Sequence, residues 1–452
     1  QIVGLLTSPL ASLPGPWYTK FTGFAHILAA ARQKSWSHLL ELHDTYGPIV
    51  RLGPDTISVV DAKDVRTVLA THKFRKGRLY EGSYFGGEPN VIATRDPSFH
   101  RMRKKMVAPV FSNVYLQNME PIMHEVGLNK LFKVIEARGA SNTPMDLMGL
   151  LMHMTLDVMG ALAFGGSFNM LDTDSHPVTD WMHGTAMLSV GVSSRASSQA
   201  SNSFAQYTMN MVEKRRQMKN PPKDILQTLV EAVDDETGLP HTPFSIASEI
   251  IVLMMAGSGT SSITLSWTMI CLLQRPEYMK RLVAEIDEAF PSIDETITHA
   301  KVQNLPFLNA VLHETLRFRS PAATETPRVA PAEGATLSGF FIPGDTEIVV
   351  TPLAIMCSKT NFDKPDQYLP DRWFEETDSI KEMKSSFLAF SSGVRACLGR
   401  NLAWLELRVT LASLVRKFEF TLVPGQDLNP TTRHILEPVE GKVMVTAVKR
   451  TA

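Results

Sequence analysis

The sequence predicts a mainly α-helical domain with small β-sheets, and three features carry that prediction. Residues 250–273 contain no charged side chain, which suits one long helix through a core. Helical patterns also run over residues 301–319 and 400–418. Between them, residues 335–350 alternate around Gly339 and Pro343-Gly344, the signature of short strands joined by turns.

The remaining elements follow in chain order. Leu13-Pro14-Gly15-Pro16-Trp17 is a stiff entry, because proline fixes φ and disfavours helix around it. Ile49-Val50-Arg51-Leu52, the Gly53-Pro54 turn and residues 56–60 predict a β-hairpin. Residues 97–111 form a basic helix in which Arg101, Arg103, Lys104 and Lys105 crowd together, as on a solvated face. Residues 145–164 predict a methionine-rich core helix. The serine-rich stretch 189–203 has little hydrophobic pattern and is expected to be a mobile loop, and Asn220-Pro221-Pro222 breaks the chain again. The 301–319 helix is closed by Ser320-Pro321, and short strands follow the helix at 400–418.

The charge-free stretch 250–273 admits two readings. It is long enough to cross a bilayer. Yet positions 258, 260, 261, 262, 264, 266 and 268 are Ser or Thr, which a lipid-facing helix carries at a cost. A helix crossing the middle of a large soluble core accounts for both facts.

Composition narrows the function. In 452 residues the hydrophobic share is 44% and the charged share 20%, ordinary for a folded chain with a sizeable core. The formal net charge of −1 supplies no bulk attraction to nucleic acid. Cys271, Cys357 and Cys397 are too few and too far apart for a disulfide framework or a CxxC zinc site. Each thiol is therefore judged by its own neighbours.

Only Cys397 has neighbours that suggest chemistry, in Phe390-Ser-Ser-Gly393-Val-Arg395-Ala-Cys397-Leu-Gly399. A thiolate that binds iron needs shielding from water, backbone N–H donors and a loop that can approach a flat macrocycle. Gly393 and Gly399 permit the turn and the approach, Phe390 can cover the sulfur, and Arg395 can meet a carboxylate of the macrocycle. A lone loop cysteine is ordinarily an inert small hydrophobe. Five fixed positions together arise by chance in such a chain only roughly once in ten thousand.

That stretch resembles the haem-binding signature FxxGxRxCxG of the cytochromes P450, and the resemblance extends from Leu13-Pro14-Gly15-Pro16 to the final strands. Tyr46-Gly47-Pro48 through Gly53-Pro54, with Pro370-Asp371-Arg372-Trp373, gives it the flavour of fungal microsomal members. The resemblance implies one triangular, mainly helical domain over residues 13–452 with a buried haem b. Residues 1–12 would be the remnant of a removed N-terminal membrane anchor. It implies Cys397 as the metal ligand and His100, Lys104, Arg328 and Arg395 as partners of the haem propionates, His100 and Lys104 standing where Trp and Arg are common. Any basic residues left over would dock an electron donor.

Glu314-Thr-Leu-Arg317 resembles the family's ExxR pair, and Arg372 would complete its buried structural network. Ala256-Gly257-Ser258-Gly259-Thr260 resembles the oxygen-activating motif, with small residues at 256 and 257 leaving room for O2 and Thr260 helping protons arrive. Taken without the resemblance, the same patch is also what close helix packing requires. One position departs from the family pattern: the residue before the threonine is usually acidic, and here it is Gly259. Water, Ser258, Ser261, a substrate hydroxyl or Glu325 would then have to serve the proton route.

The implied reaction is hydroxylation of a lipophilic small molecule (steroid, terpenoid or polyketide-like) by O2. Electrons come from NADPH through NADPH–cytochrome P450 reductase, on the cytoplasmic face of the endoplasmic reticulum. Residues 81–92, 181–207, 254–258, 322–326 and 434–437 are expected to line the pocket, with Met254, Thr324 and Glu325 as substrate contacts. Two alternatives stand beside this: a haem-thiolate isomerase or dehydratase needing no reductase, and a non-enzymatic haem or membrane protein built on the 250–273 helix.

Overall fold

A computed structural model describes residues 8–85, 88–189, 194–234, 237–374 and 378–451. Most of the expected 1–12 remnant, and small parts of the 81–92 and 181–207 stretches, lie outside them.

A 31-residue helix, Pro243–Leu273, is the axis of the molecule. Thr242 caps its start by accepting the Ser245 N–H, and Pro243 occupies the first turn, where a missing N–H costs nothing. The helix packs against Leu147–Phe164, Arg195–Arg216, Pro306–Phe318 and Arg400–Lys417. Its membrane-length apolar window is 78% buried by these neighbours, so the membrane-crossing alternative gives way to a core helix. The hydroxyls that argued against lipid are satisfied within the helix. Ser258, Thr264, Ser266 and Thr268 each donate to the carbonyl four residues back, at 2.7–2.9 Å.

The serine-rich stretch is a correction. Ser194 caps a helix running Arg195–Arg216, and only residues 190–193 fall outside the described chain. The buried face is Ser197, Ser201, Phe204, Ala205, Thr208, Val212 and Arg215, a regular helical stripe that begins with serines rather than apolar residues. Small residues are required there because the Val178–Ser189 helix comes close. A Cβ on Gly184 would lie 2.5 Å from that of Ala200. The helix expected at 301–319 is likewise two helices, His299–Val302 and Pro306–Phe318. Pro306 forces the restart, and Glu285 accepts the Phe307 and Leu308 N–H groups at 2.7 and 2.8 Å in place of a cap.

The strands form small sheets at the periphery. β1 (Ile49–Arg51) and β2 (Thr56–Val59) make the expected hairpin. They extend into a five-stranded sheet through β8 (Glu347–Val349), β5 (Arg328–Val329) and β3 (Arg75–Lys76), while β4 (Met145–Asp146) belongs to another sheet. The alternating 335–350 stretch is therefore divided. β6 (Ala335–Leu337) and β7 (Phe340–Ile342) form their own hairpin, while β8 joins β2 in parallel. Leu10, Leu13, Ile57, Val59, Val65, Val68 and Ile348 fill the core under this sheet, separate from the larger helical core.

Candidate active site

The central helix shows where the protein leaves room. From Ser245 to Leu272 every residue is buried except Met255, Ala256, Gly257 and Thr260. Ala256 and Thr260, four residues apart, share one face with Met255 and Gly257 at its two edges, so an interior surface opens along the motif singled out by sequence. Thr260 stands on that face, with its hydroxyl donating to the Ala256 carbonyl at 2.6 Å. Ser258 and Met254 do not: both are fully buried, and the Ser258 hydroxyl donates to the Met254 carbonyl at 2.9 Å. Gly257 is small for a second reason. A Cβ there would meet Met159 Sδ at 2.7 Å, so the Leu147–Phe164 helix could not pack as it does.

The Cys397 loop presents another uncovered interior surface. Gly393 has φ +68°, and a Cβ there would collide with the Leu69 carbonyl, so only glycine allows the loop to lie on the Ala62–Ala70 helix. The Cys397 N–H donates to the Phe390 carbonyl at 2.9 Å, closing the loop. The Phe390 ring packs on Trp404 with centroids 5.7 Å apart. The Arg400–Lys417 helix starts just after the cysteine, and the backbone N–H groups of Gly399 and Arg400 point at the sulfur. Cys397 is surface-accessible, yet burial pushes its thiol pKa up while those N–H groups and Arg400 pull it down. Both facts hold for a sulfur on the wall of a deep cleft. Gly399 is not demanded by the protein, since a Cβ there would meet only ordinary contacts at 3.9 and 4.0 Å.

At the rim of this region cations gather without an anion among the described residues. Arg395 reaches the Val91 carbonyl at 3.4 Å, Lys104 the Val394 carbonyl at 3.3 Å, and Arg328 the Thr326 and Pro327 carbonyls at 3.1 and 3.0 Å. Burial and then Arg328 lower the Arg395 pKa to about 10. Burial, followed by Arg395, His72, Lys76 and Lys104, drives His100 down to about 3, so the ring is neutral, and its buried Nδ1 has no partner. Sequence reasoning missed Lys76. It pairs directly opposite Arg328 in the β3–β5 ladder, and burial, Arg328 and Arg395 hold its pKa well below the ordinary lysine value. Its ammonium donates to the Ile92 carbonyl and sits 3.9 Å from the Tyr80 ring centroid. Among the described residues no carboxylate forms an ion pair with Lys76, Lys104, Arg328 or Arg395. No motif marks Lys76, and only the strand pairing reveals it.

The basic cluster at 101–105 also divides. Arg103 is not on a solvated face. It is buried, 3.5 Å from the fully buried Glu249 carboxylate, which also accepts the Val91 N–H at 3.0 Å. Burial raises the Glu249 pKa to about 7, against the pull of Arg103 and of the Val91 N–H. This pair ties the residues around Val91 to the central helix; the sequence pattern placed Arg103 on a solvated face and did not mark Glu249.

Beneath the cysteine loop, Glu314, Arg317 and Arg372 meet as the sequence pattern suggested. Arg317 forks onto Glu314 at 2.8 and 2.9 Å, and Arg372 Nε reaches Glu314 Oε1 at 3.2 Å. The Leu369 N–H and Trp373 Nε1–H donate to the same carboxylate at 2.9 and 3.0 Å. Arg317 continues to the carbonyls of Met356, Pro365 and Gln367, so this buried network pins the irregular chain leading to the loop. Thr324 and Glu325 are half-buried. Glu325 lies 3.2 Å from His26 Nε2, which couples it to the Phe24–Ala31 helix rather than to the motif around Thr260.

The cytochrome P450 family profile matches residues 14–445. The chain belongs to the cytochrome P450 family. Among its relatives, cytochrome P450 monooxygenase helB3 of Aspergillus fumigatus is 31% identical, with 95% of this chain and 88% of that protein aligned. Cytochrome P450 monooxygenase acrD of Aspergillus aculeatus is 29% identical over 100% of this chain and 93% of its own length. The cytochrome P450DA heme domain superposes with a TM-score of 0.83 over 97% of each chain at 20% identity, which shows the shared fold. This cytochrome P450 is therefore a monooxygenase of haem and O2, and its residues fit that cofactor. A thiol under backbone N–H groups suits a metal, and a group of cations with an unpartnered imidazole nitrogen suits carboxylates.

Proposed function

We propose that this cytochrome P450 hydroxylates a C–H bond of a lipophilic small molecule, steroid, terpenoid or polyketide-like, in fungal secondary metabolism. Electrons would come from NADPH through NADPH–cytochrome P450 reductase. The observation that carries the reading is the pair of uncovered interior surfaces, one at Met255–Gly257 with Thr260 and the other at Cys397. Cys397 would hold the haem iron, braced by the Glu314–Arg317–Arg372 network. His100, Lys104, Arg328, Arg395 and Lys76 would hold the propionates. Bound haem supplies the oxygen-activating redox chemistry, favoured by an electron-rich thiolate.

The protein's own part is placement and proton handling. Ala256 keeps the cleft face shallow, and the Thr260 hydroxyl can both donate and accept a proton there. Thr324 would contact the substrate, whereas Glu325 is held by His26, and the Met, Phe and Ser of the expected lining segments suit a largely apolar substrate. Trp17, Phe21, Phe24 and Ile27 are 76, 44, 63 and 65% exposed, an apolar patch that supports a face resting on the endoplasmic reticulum membrane beside an N-terminal anchor.

The experiment is the absorption spectrum of the reduced protein under carbon monoxide, then turnover of lipophilic substrates with NADPH and reductase. A strongly red-shifted Soret band and NADPH-dependent product support the proposal. An unshifted band removes the thiolate assignment. Product formed from a hydroperoxide alone, without NADPH, would instead favour the isomerase or dehydratase alternative.

A further inference from the structure

The central helix and the cysteine loop are bridged at one place by a single residue. Val91 gives its N–H to Glu249 of the central helix, at 3.0 and 3.1 Å from the two carboxylate oxygens. Its carbonyl accepts from Arg395 of the cysteine loop at 3.4 Å. The next carbonyl, that of Ile92, accepts from the Lys76 ammonium. Asn90 braces the turn from within: its Oδ1 accepts the Ala93 N–H at 2.9 Å, and its carbonyl the Thr94 N–H at 3.0 Å. Asn90, Ala93 and Thr94 are at most 2% exposed, so Ile92, at 42%, is the side chain the turn offers.

Glu249 lies seven residues before Ala256 and eleven before Thr260, spacings that return to the same face of a helix turning every 3.6 residues or so. That face is uncovered at Ala256 and Thr260 and fully buried at Glu249, where the Val91 turn lies over it. Arg103 stands 3.5 Å from the carboxylate, yet its Nε makes no hydrogen bond among the described residues, and its Nη2 turns to Ser245. Both oxygens of Glu249 are therefore directed at one backbone N–H. An ion pair that served packing alone would direct them at the guanidinium. Ser248 adds a second tie from the same helix, donating to the Glu88 carbonyl at 3.4 Å.

We infer that Glu249 is a positioning residue, whose carboxylate fastens the turn at 90–94 as the end wall of the substrate cleft. The inference rests on the monooxygenase reading of that cleft. Arg395 and Lys76 also hold the turn, but both belong to the cations that would meet the haem propionates. Glu249 is thus the grip on Val91 that the cofactor does not share, and Arg103 offsets part of the cost of burying its charge. Without it the turn can swing from the helix while Arg395 and Lys76 stay with the cofactor, and the cleft widens at that end. Glu249 touches no substrate and acts through the turn.

The test uses the holoenzyme and two paired variants, Arg103→Met with Glu249→Gln and Arg103→Met with Glu249→Met. Neither leaves a buried charge without its partner, and they differ only in whether position 249 can accept the Val91 N–H. The carbon monoxide band is read first. Dissociation constants follow for imidazole and for clotrimazole, which both ligate iron through a ring nitrogen, although only the second is large enough to fill the cleft. The Met pair should weaken clotrimazole by at least roughly tenfold, the scale of one hydrogen bond to a charged group, with imidazole unchanged. The Gln pair should restore the parent's discrimination. Hydrogen exchange should quicken at 90–94 in the Met pair alone, in haem-loaded and haem-free chains alike, and the haem-free comparison decides should the Met pair not take up haem. Equal behaviour of the two pairs overturns the inference. So does loss of protection throughout the chain, which makes Glu249 a packing residue. A parent without the red-shifted band refutes the haem-thiolate reading instead, and the exchange comparison stands apart from it.

Discussion

Glu314→Gln is the sharpest test of what holds the cysteine loop. The substitution keeps the shape of the side chain and removes only its charge. Glu314 and Arg317 are both fully buried and the Arg372 side chain is 8% exposed, so the two guanidinium groups would be left sharing a dry site with no anion. Breaking a buried pair in this way costs about 3–5 kcal/mol. Arg317→Lys is the companion. Arg317 makes five hydrogen bonds, two to Glu314 and three to the carbonyls of Met356, Pro365 and Gln367. An ammonium has three donors, so at least two bonds are lost, worth roughly 1–3 kcal/mol each. The assay is urea unfolding followed by both far-UV circular dichroism and the carbon monoxide band. Both variants should lose the band at lower urea than the parent. A Glu314→Gln protein within about 1 kcal/mol of the parent would refute the claim that the charge, rather than the packing, braces this region.

Other consequences are equally direct. Gly393→Ala forces a side chain into φ +68° and onto the Leu69 carbonyl, and should abolish haem incorporation in expressed protein. Gly259→Ala meets only Ile435 Cδ1 at 3.7 Å in the middle of a helix, and should raise thermal stability by roughly 0.5–1 kcal/mol with the haem spectrum unchanged. The Glu406 pKa of about 7 lies above its unfolded value, so the folded chain binds more protons between them. That carboxyl's contribution to stability is full below the unfolded pKa and is lost as pH rises through about 7. Subtracting a Glu406→Gln stability profile from the parent's should expose that slope.

Much of this architecture is legible in the sequence because it depends on local pattern. Residues 250–273 reveal a buried helix because nothing charged interrupts them, and the cysteine loop because its glycines sit at fixed offsets. The Arg195–Arg216 helix is hidden because close approach to Gly184 puts serines where an amphipathic pattern has apolar residues. Pro306 divides a helix that periodicity alone joins. The site was half legible. Residues inside motifs emerge, but Lys76 and Glu249 act through partners far away in sequence, and no spacing encodes Arg328 or Val91 as those partners.

The β3–β5 pair offers a test of whether cofactor and fold are coupled. Cations directly opposite in a ladder repel, and Lys76 faces Arg328 with Arg395 nearby and no carboxylate beside them among the described residues. Such an arrangement weakens the haem-free chain and is relieved only when anions enter. Lys76→Met should therefore have opposite effects on the two forms. The haem-free chain should gain stability by a fraction of a kcal/mol up to about 1 kcal/mol, the scale of a cross-strand pair. The haem-loaded chain should release haem faster to an acceptor such as apomyoglobin, having lost a propionate partner. If both forms lost stability together, Lys76 would be a packing residue whose stem matters more than its charge. If neither changed, the bond to the Ile92 carbonyl and the contact with Tyr80 would already neutralise its cost, and the cluster would hold its anion with Arg328, Arg395, His100 and Lys104 alone.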